Sequence, residues 1–317
     1  MDSHTPAVTR GILRLALQET ESDVPRLEFA AKNTRDRLYV LVEGDWGTLD
    51  RQQVQKRLLF VYEQLNRLNN TLDSRVLLPA PKAWLAPHVL GADAVFTSSE
   101  EASAIDVWNA HRAEHDLPQI NKFPSTSPCP PVLQNLCWNS ETCENIPSGC
   151  YNDVVLGGTF DRIHSGHKLL LSTSALFAKK RLAIGLSEGP LLVKKTLKEF
   201  MSSYTVRQVR LLDFLLSVRP GLEYQLVPIY DPFGPSIVDA NLDCIVVSKE
   251  TESGGKMVNE RRMANGLNEL AVEVVDLVGP ENANNDNKVS STQQRKNALA
   301  RFCGEGTPVG ERAGGEE

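Results

Sequence analysis

Two glycines and two histidines lie close together after a short apolar segment: Gly157, Gly158, His164 and His167. Glycine has no Cβ, so a phosphate can approach the backbone closely, and helix N-termini that follow strands in α/β sheets bind anions. The histidines are three residues apart, on one side of a first helical turn, and Gly166 leaves room for a flat nucleobase. The pattern predicts a nucleotide site, although the spacing alone also suits a metal-binding pair or a hydrogen-bonded pair without catalytic duty.

A longer motif surrounds these residues. Gly158-Thr-Phe-Asp-Arg-Ile-His-Ser-Gly-His167 resembles the signature of the nucleotidyltransferase superfamily. Ser290-Ser-Thr-Gln-Gln-Arg295 resembles the superfamily's C-terminal Ser-Ser-Thr-x-x-Arg motif, which contacts the triphosphate. Hydroxyls and free N–H groups at the start of a helix running to about Arg301 would face phosphate oxygens, and Arg295 would add a fixed charge. Alone, the second motif suits a capped surface helix; the order of the two motifs favours nucleotidyl transfer.

Within the superfamily, residues 153–295 resemble phosphopantetheine adenylyltransferases, as in the adenylyltransferase part of eukaryotic bifunctional coenzyme A synthases. The marks are Tyr230–Pro235, Val246–Thr251, Gly254-Gly255, Asn259–Arg262 and Asn265–Leu267. The resemblance implies transfer of AMP from MgATP to 4′-phosphopantetheine, which gives dephospho-coenzyme A and pyrophosphate. Many animal synthases continue into a kinase with a Gly-x-x-x-x-Gly-Lys-Ser/Thr loop. This sequence has no such loop, so we expect no kinase activity.

The resemblance also implies roles for single residues. His167 matches the histidine that donates to the α-phosphate, Thr159 orients the attacking phosphate, and Lys195, chosen by spacing, bridges both reacting phosphates. The acceptor phosphate is ionised near pH 7, so we expect positioning and charge stabilisation rather than general-base catalysis. The nucleotide-binding candidates are Gly157, Gly158, Phe160, His164, Gly166, Arg262, Ser290, Ser291, Thr292 and Arg295.

The assignments of three residues, Asp231, Arg262 and Asp161, are more open. Asp231 is expected to shape the pantetheine end, although Asp-Pro-Phe-Gly is equally a plain turn. Arg262 is expected on the nucleotide side, although the neighbouring Arg261 could serve instead. Asp161 is interpreted as an organiser of its loop rather than a metal ligand. The implied cofactor is Mg²⁺, held chiefly by the triphosphate of ATP.

Two alternative functions remain open. Cytidylyltransferases for phosphocholine, phosphoethanolamine or glycerol phosphate share the first motif, but Lys288-Val-Ser-Ser-Thr292 fits their usual second motif poorly. The chain could also be a scaffold with a vestigial nucleotide site, whose N-terminal region and proline-rich connector bind protein partners. Retention of the motif residues argues against a decayed site.

The second half alternates between strand and helix. Strands are predicted at Asp153–Leu156, Arg181–Leu186, Glu223–Ile229, Asp243–Ser248 and Ala271–Leu277, and helices at His167–Lys179, Tyr204–Val218 and Lys256–Leu270. This alternation predicts an α/β fold with a doubly wound, Rossmann-like parallel sheet.

A smaller α/β region precedes it. Strands are predicted at 37–43, Arg75–Pro79 and Ala94–Thr97, and helices at Thr48–Leu68 and Glu100–His115. We divide the chain into a flexible N-terminus (1–35), an N-terminal α/β domain of unknown role (36–115), a proline- and cysteine-containing linker (116–150), the nucleotidyltransferase domain (151–302) and a disordered tail (303–317).

The amino-acid composition limits the partners and the cellular location that can be expected for the chain. The 34 basic and 40 acidic residues give a net charge of −6, which disfavours nucleic acid as a partner. No apolar run reaches about 18 residues, so no transmembrane segment is predicted. Six cysteines in 317 residues are too few for a disulfide scaffold, so a cytoplasmic setting is expected. Four of the cysteines, from Cys129 to Cys150, lie in the linker, and we interpret them as free thiols rather than as a metal or disulfide cluster.

The N-terminus has some features of a mitochondrial transit peptide. Arg10 and Arg14 flank a short apolar stretch, but Asp2, Glu19 and Glu21 are acidic residues, which such peptides avoid. Mitochondrial association is therefore the alternative to a cytoplasmic location.

Overall fold

The structure is a computed structural model of the 317-residue chain. It describes residues 8–44, 46, 49–78, 91–97, 102–114, 116, 119–124, 151–276, 278 and 291–302. Within these ranges the chain forms two α/β units, each built on a five-stranded parallel sheet. We call them the N-terminal unit (residues 8–124) and the C-terminal unit (residues 151–302).

The N-terminal unit contains five strands and three helices among its described residues. In chain order they are β1 (Val8–Ala16), α1 (Asp23–Asn33), β2 (Thr34–Glu43), α2 (Arg51–Leu68), β3 (Asp73–Leu77), β4 (Ala94–Thr97), α3 (Ala102–Ala113) and β5 (Asn121–Pro124). The strand order is β3-β2-β1-β4-β5, and every neighbouring pair is parallel. A capping box between Asp50 and Gln53 starts α2.

The C-terminal unit has the same architecture. Its elements are β6 (Tyr151–Gly158), α4 (Ser165–Phe177), β7 (Ala178–Ser187), α5 (Tyr204–Val218), β8 (Glu223–Ile229), β9 (Cys244–Ser248), α6 (Glu252–Ala264), β10 (Ala271–Val275) and α7 (Ser291–Phe302). The parallel sheet has the order β8-β7-β6-β9-β10. The order reverses between β6 and β9, which puts the loop after β6 at the switch point where such sheets bind ligands. The predicted doubly wound α/β fold is confirmed.

The two units also share the details of their strand pairing. A register shift follows Val8 in the β1–β2 pair and Tyr151 in the β6–β7 pair, at the same step of each ladder. Strands β2 and β7 have the same residue-by-residue pattern of burial. The N-terminal unit is therefore a structural repeat of the C-terminal unit.

Two side-chain devices are repeated as well. Asp93 accepts backbone hydrogen bonds from residues 9 and 10, and Asp243 accepts them from residues 152 and 153. The amides of Asn109 and Asn259 each bond both backbone groups of the residue eleven positions later. The aspartate bonds fix the backbone at the start of the central strands, β1 and β6, and the asparagine bonds fix it just before the edge strands, β5 and β10. Both kinds of bond are therefore part of the framework that the two units share.

The units pack against each other through one apolar core. It joins buried side chains of both sheets and of helices α1, α2, α4 and α5. The Tyr62 hydroxyl of α2 lies 2.8 Å from the Ser172 hydroxyl of α4, and burial raises the pKa of Tyr62 to about 12. The N–H of Leu78 donates to the Val218 carbonyl at 2.9 Å. No helix among the described residues is long and apolar enough to cross a membrane.

Two predicted domain boundaries need correction. The prediction of a flexible N-terminus over residues 1–35 is wrong for residues 8–33, which form β1 and α1. The predicted linker, residues 116–150, contains strand β5 at Asn121–Pro124. The N-terminal unit therefore extends well beyond residues 36–115. The cysteines of the linker and the tail, residues 303–317, lie outside the described residues.

Strand β1 was missed because polar residues interrupt its apolar pattern. Arg10, Gly11 and Arg14 all lie within it. Arg14 is nonetheless buried, because its guanidinium pairs with the carboxylate of Glu43 on the neighbouring strand at 2.9 Å. The basic residues that suggested a transit peptide are thus part of a central strand.

Candidate active site

The loop after β6 carries the first motif and is held by contacts within the protein. Phe160 has a left-handed backbone conformation (φ 46°), and its buried ring lies across Gly158, where a Cβ would come within 2.9 Å of it. The buried Asp161 carboxylate accepts hydrogen bonds from the Ser202 N–H at 2.8 Å and the Arg295 guanidinium at 3.0 Å. The interpretation of Asp161 as an organiser of its loop is confirmed.

Gly157 leaves open space at the carboxyl end of β6, and we call this place the open edge. It is exposed, pairs with Gly185 of β7, and a Cβ on it would meet its nearest neighbours only at 3.7 Å. The fold therefore does not require a glycine at this position. At the equivalent positions of the N-terminal unit lie Arg14 and Leu41, and Arg14 is ion-paired with Glu43. The edge is open in the C-terminal unit and filled in the N-terminal unit.

The N-terminus of α4 faces the same place. His164 is the N-cap residue, so the first-turn N–H groups have no partners within the helix, and no acidic residue lies in that turn. This end of the helix dipole favours an anion. The rings of His164 and His167 stack with centroids 3.9 Å apart, and Gly166 lies beside them, where a Cβ would be 3.2 Å from His164 Cε1.

His167 is the titratable group of this site. Its Nδ1 lies 3.2 Å from the Arg162 carbonyl oxygen, which can only accept, so Nδ1 carries the proton of the neutral ring. Burial lowers the pKa of His167 to about 4; the Arg162 carbonyl and Asp161 oppose this, and the Lys195 charge adds to it. Near neutral pH, Nε2 therefore becomes a donor only when the ring gains a proton, which a bound polyphosphate would favour.

Lys195 lies in the loop between β7 and α5, flanked by 3-10 turns at Gly189–Leu192 and Lys198–Phe200. Its side chain is exposed, and its charge acts on His167, so it is near the first motif. The loop is tied to α7, because the Thr196 carbonyl accepts a hydrogen bond from Arg295 at 3.0 Å. The loop thus brings a free ammonium group to the histidine pair.

Helix α7 brings the second motif to the first. The Ser291 hydroxyl donates to the Arg162 carbonyl at 3.2 Å, the same oxygen that contacts His167. Thr292 accepts a hydrogen bond from Arg295 at 3.1 Å. Ser290 lies outside the described residues. Two motifs more than 120 positions apart in the sequence therefore meet at one loop.

Arg295 itself has a different partner from the one expected. It is buried, pairs with Asp161, and also bonds Thr196 and Thr292. Its charge is paired with that of Asp161, and the expected contact with the triphosphate stays a prediction. The residue joins α7 to the first motif.

Comparison with known proteins decides the family. Residues 155–297 match the family model described as Cytidylyltransferase-like, which spans both motifs. An uncharacterized protein of Schizosaccharomyces pombe is 38% identical over 241 residues, 71% of this chain and 74% of that protein. The phosphopantetheine adenylyltransferase of Pyrobaculum aerophilum is 36% identical over 129 residues, 40% of this chain and 81% of that protein. The chain belongs to the phosphopantetheine adenylyltransferase family.

The extent of these matches differs between relatives. The phosphopantetheine adenylyltransferase of Saccharomyces cerevisiae is 39% identical over 147 residues, which are 46% of this chain and 48% of that protein. Residues 151–317 make up only about half of the 317-residue chain, so the 71% matched by the Schizosaccharomyces pombe protein must include part of the N-terminal unit. Similarity within the family therefore extends beyond the C-terminal unit in at least one relative.

Arg262 does not reach the site assigned to it by resemblance to the family. It is 0% exposed, and its guanidinium donates to the carbonyls of Asn268, Ser236 and Asp239 at 2.6 to 2.9 Å. The prediction that Arg262 contacts the nucleotide is therefore wrong for this structure. The residue holds the end of α6 against the segment after β8. Arg261, the other candidate, lies with its guanidinium carbon 5.3 Å from the Phe233 ring centre.

Asp231 forms a turn. Its Oδ1 accepts hydrogen bonds from the N–H groups of Phe233 at 2.8 Å and Gly234 at 2.9 Å. This is the plain turn that the sequence allowed as an alternative. One carboxylate oxygen is used in this way, and a role for Asp231 at the pantetheine end stays a prediction.

Arg207 of α5 also supports the site, although no sequence motif indicated it. This fully buried side chain donates to the carbonyls of Thr159, Ser187 and Ser202 at 2.8 to 3.2 Å and pairs with Glu188 at 2.6 Å. It fixes the ends of β6 and β7, and with them the backbone of Thr159. The sequence does contain a sign of its burial, because Arg207 lies four residues before Leu211 and so shares the buried face of the helix.

Within the part of the chain that the structure describes, the side chains do not form a metal site of their own. Among the described residues, no group of three or more His, Cys, Asp or Glu side chains could hold a metal ion. The one carboxylate of the first motif, Asp161, is already bound by Arg295 and Ser202. The expectation that Mg²⁺ is held chiefly by the triphosphate of ATP stays a prediction.

Proposed function

We propose that the chain transfers AMP from MgATP to 4′-phosphopantetheine, giving dephospho-coenzyme A and pyrophosphate. The observation that carries the proposal is the meeting of the two motifs at the loop after β6, through the Arg295–Asp161 pair and the Ser291 hydroxyl. Family relatives named phosphopantetheine adenylyltransferase support this choice of substrates. We also propose a cytoplasmic location, on the low cysteine content.

The nucleotide phosphates would bind at the N-terminus of α4. The exposed edge at Gly157 admits them to the backbone, and the N–H groups of the first turn of α4 face them. His167 Nε2 would donate to the α-phosphate. The negative charge of the nucleotide raises the low pKa of the ring and so supplies the condition for donation.

The acceptor phosphate would lie between Thr159 and Lys195. The guanidinium of Arg207 holds the Thr159 backbone through its hydrogen bond to the Thr159 carbonyl. The ammonium group of Lys195 is exposed and would neutralise charge on both phosphates. An oxygen of the acceptor phosphate forms a bond to the α-phosphorus. The bond from that phosphorus to the bridging oxygen breaks, and pyrophosphate leaves with the electron pair. The acceptor is already ionised, so the step needs no general base.

The first experiment is pyrophosphate release by the purified chain with Mg²⁺, either ATP or CTP, and either 4′-phosphopantetheine or a phospho-alcohol such as phosphocholine. We expect release with ATP and formation of dephospho-coenzyme A. Release only with CTP and a phospho-alcohol would overturn the proposal in favour of a cytidylyltransferase, the activity that the name of the matching family model suggests. Absence of turnover with every pair would favour a scaffold with a vestigial site.

Substitution of two lysines in the loop between β7 and α5 tests the role assigned to Lys195. Lys195 and Lys198 are both exposed. We expect Lys195→Met to lower kcat about 10²- to 10³-fold, the loss typical for one charge-stabilising donor. Lys198→Met is the matched control and should retain activity. Equal effects of the two substitutions would contradict the bridging role of Lys195.

A further inference from the structure

We propose that the N-terminal unit positions helix α4 for nucleotidyl transfer, and that Asp73 of β3 is the positioning residue through which it acts. The kinetic part of this inference rests on the proposed function; the structural part does not. Contacts along one face of α4 join the two units.

Three side chains of α4 bond the N-terminal unit. They follow one another at intervals of three and four residues, so they share one face of the helix. The pairs are Ser165 Oγ to Asn66 Oδ1 (3.0 Å), Lys168 Nζ to Asp73 Oδ1 (3.1 Å) and Ser172 Oγ to Tyr62 OH (2.8 Å). Bonds spread over two turns fix both the position of α4 along its axis and its rotation about that axis.

Lys168 is the contact nearest to the chemistry, since it directly follows His167. It is only 6% exposed, and burial lowers the pKa of its ammonium group while Asp73 raises it. A buried ammonium group is strongly destabilising without a counter-ion. Asp73 is the carboxylate that Lys168 bonds, so the place of Lys168 in the first turn of α4 depends on a residue of the other unit.

Asp73 is itself held in place. Arg37 and Arg75 bond its carboxylate at 2.8 and 2.9 Å, and both also reach Asp213 of α5. Burial alone would raise the pKa of Asp73, but the charges of Lys168, Arg75 and Arg37 hold it well below its usual range. The carboxylate is therefore a fixed point, tied to both units, to which the start of α4 is attached.

Fixing α4 matters because its first turn carries His167 and the free N–H groups. A displacement of about 1 Å can cost 10²-fold in rate when a donor must meet a developing charge. The N-terminal unit repeats the frame of the C-terminal unit, yet Arg14 fills the position that is open at Gly157. Its geometry suits support of the neighbouring site better than binding of a second nucleotide.

The test uses Asp73→Asn in the full chain, with Asp23→Asn as the matched control. Asp23 also forms an ion pair, with Arg57 at 2.7 Å, but that pair is more deeply buried and lies wholly within the N-terminal unit. We expect Asp73→Asn to lower kcat about 10-fold or more while KM for ATP changes much less. Asp23→Asn should leave kcat close to that of the wild type. Equal loss of kcat in both variants would overturn the proposal.

A double-mutant cycle with Lys168→Met tests the route. Because Asp73 acts through Lys168, adding Asp73→Asn to Lys168→Met should lower kcat little further. Asp73→Glu keeps the charge and should recover part of the loss seen with Asp73→Asn. Independent, multiplying effects of the two substitutions would show that Asp73 does not act through Lys168.

Hydrogen exchange separates this inference from the proposed function, because it needs no substrate. Asp73→Asn should speed exchange of the α4 amides at residues 168–172, and Asp23→Asn should not. If the wild type releases no pyrophosphate from ATP, the proposed function fails while this measurement still decides the role of Asp73. Unchanged exchange in Asp73→Asn would refute the positioning role whatever the activity.

Discussion

His167 combines a fixed tautomer with a low affinity for protons. Its Nδ1–H is committed to the Arg162 carbonyl, and its pKa of about 4 keeps the ring neutral at physiological pH. Donation from Nε2 therefore depends on a second proton, which arrives only when negative charge is near. This arrangement makes the histidine responsive to the nucleotide rather than permanently charged.

The low pKa of His167 predicts a pH dependence of stability. The unfolded ring titrates near 6.5, so between pH 6.5 and 4 the unfolded state binds more protons than the native state. The free energy of unfolding should fall as pH falls through this window, by about 3 kcal/mol in total. Urea unfolding of the wild type and His167→Gln between pH 7 and 4.5 measures this, and the variant should lose less. Parallel pH profiles would contradict the assignment.

Among single residues, the sequence predicted the group at the loop but not every partner. The glycines, the histidine pair and Ser291 meet as the motifs indicated. Arg262 does not take the contact expected of it, because backbone carbonyls occupy its guanidinium group, and Arg295 pairs with a carboxylate that the motifs did not indicate as its partner. Except for Asn268, these partners come from segments distant in sequence, and no local pattern identifies them.

Among the elements, α7 is attached to the motif loop by the buried Arg295–Asp161 ion pair and by the Ser291 hydroxyl. Arg295→Met would leave the Asp161 carboxylate buried and unpaired, which should lower the free energy of unfolding by about 3–5 kcal/mol. The neighbouring Lys296 is exposed, and Lys296→Met should change it by less than about 0.5 kcal/mol. Urea unfolding of both variants checks this, and a loss of similar size in each would rule out the special role of the pair.

The elements whose apolar residues follow a clear helix or strand period were the ones that could be predicted from the sequence. Helix α5 and strand β8 have the predicted bounds, because continuous apolar patterns and clear turns define them. Helix α6 ends at Ala264, six residues before the predicted end, because Gly266 takes a left-handed conformation (φ 74°) and breaks the helix. Strands β1 and β5 escaped prediction, since their charged or polar residues are paired with partners in other strands or exposed at a sheet edge.

In the whole molecule, the two units should unfold together. They share one apolar core and the ion pairs around Asp73 and Asp213. All four tryptophans precede residue 151, so tryptophan fluorescence reports on the N-terminal half, whereas far-UV circular dichroism reports on both units. We expect coincident urea transitions by the two probes. Loss of tryptophan fluorescence at a lower urea concentration would show that the N-terminal unit unfolds independently.

The repeated frame allows the chain to serve as its own reference. Positions that both units keep, such as Asp93 with Asp243 and Asn109 with Asn259, make the same backbone hydrogen bonds in both sheets. A position where the units differ, Gly157 against Arg14, lies at the open edge. Requirements of folding and requirements of chemistry can thus be told apart inside one molecule, so saturation mutagenesis of paired positions would measure each kind of constraint separately.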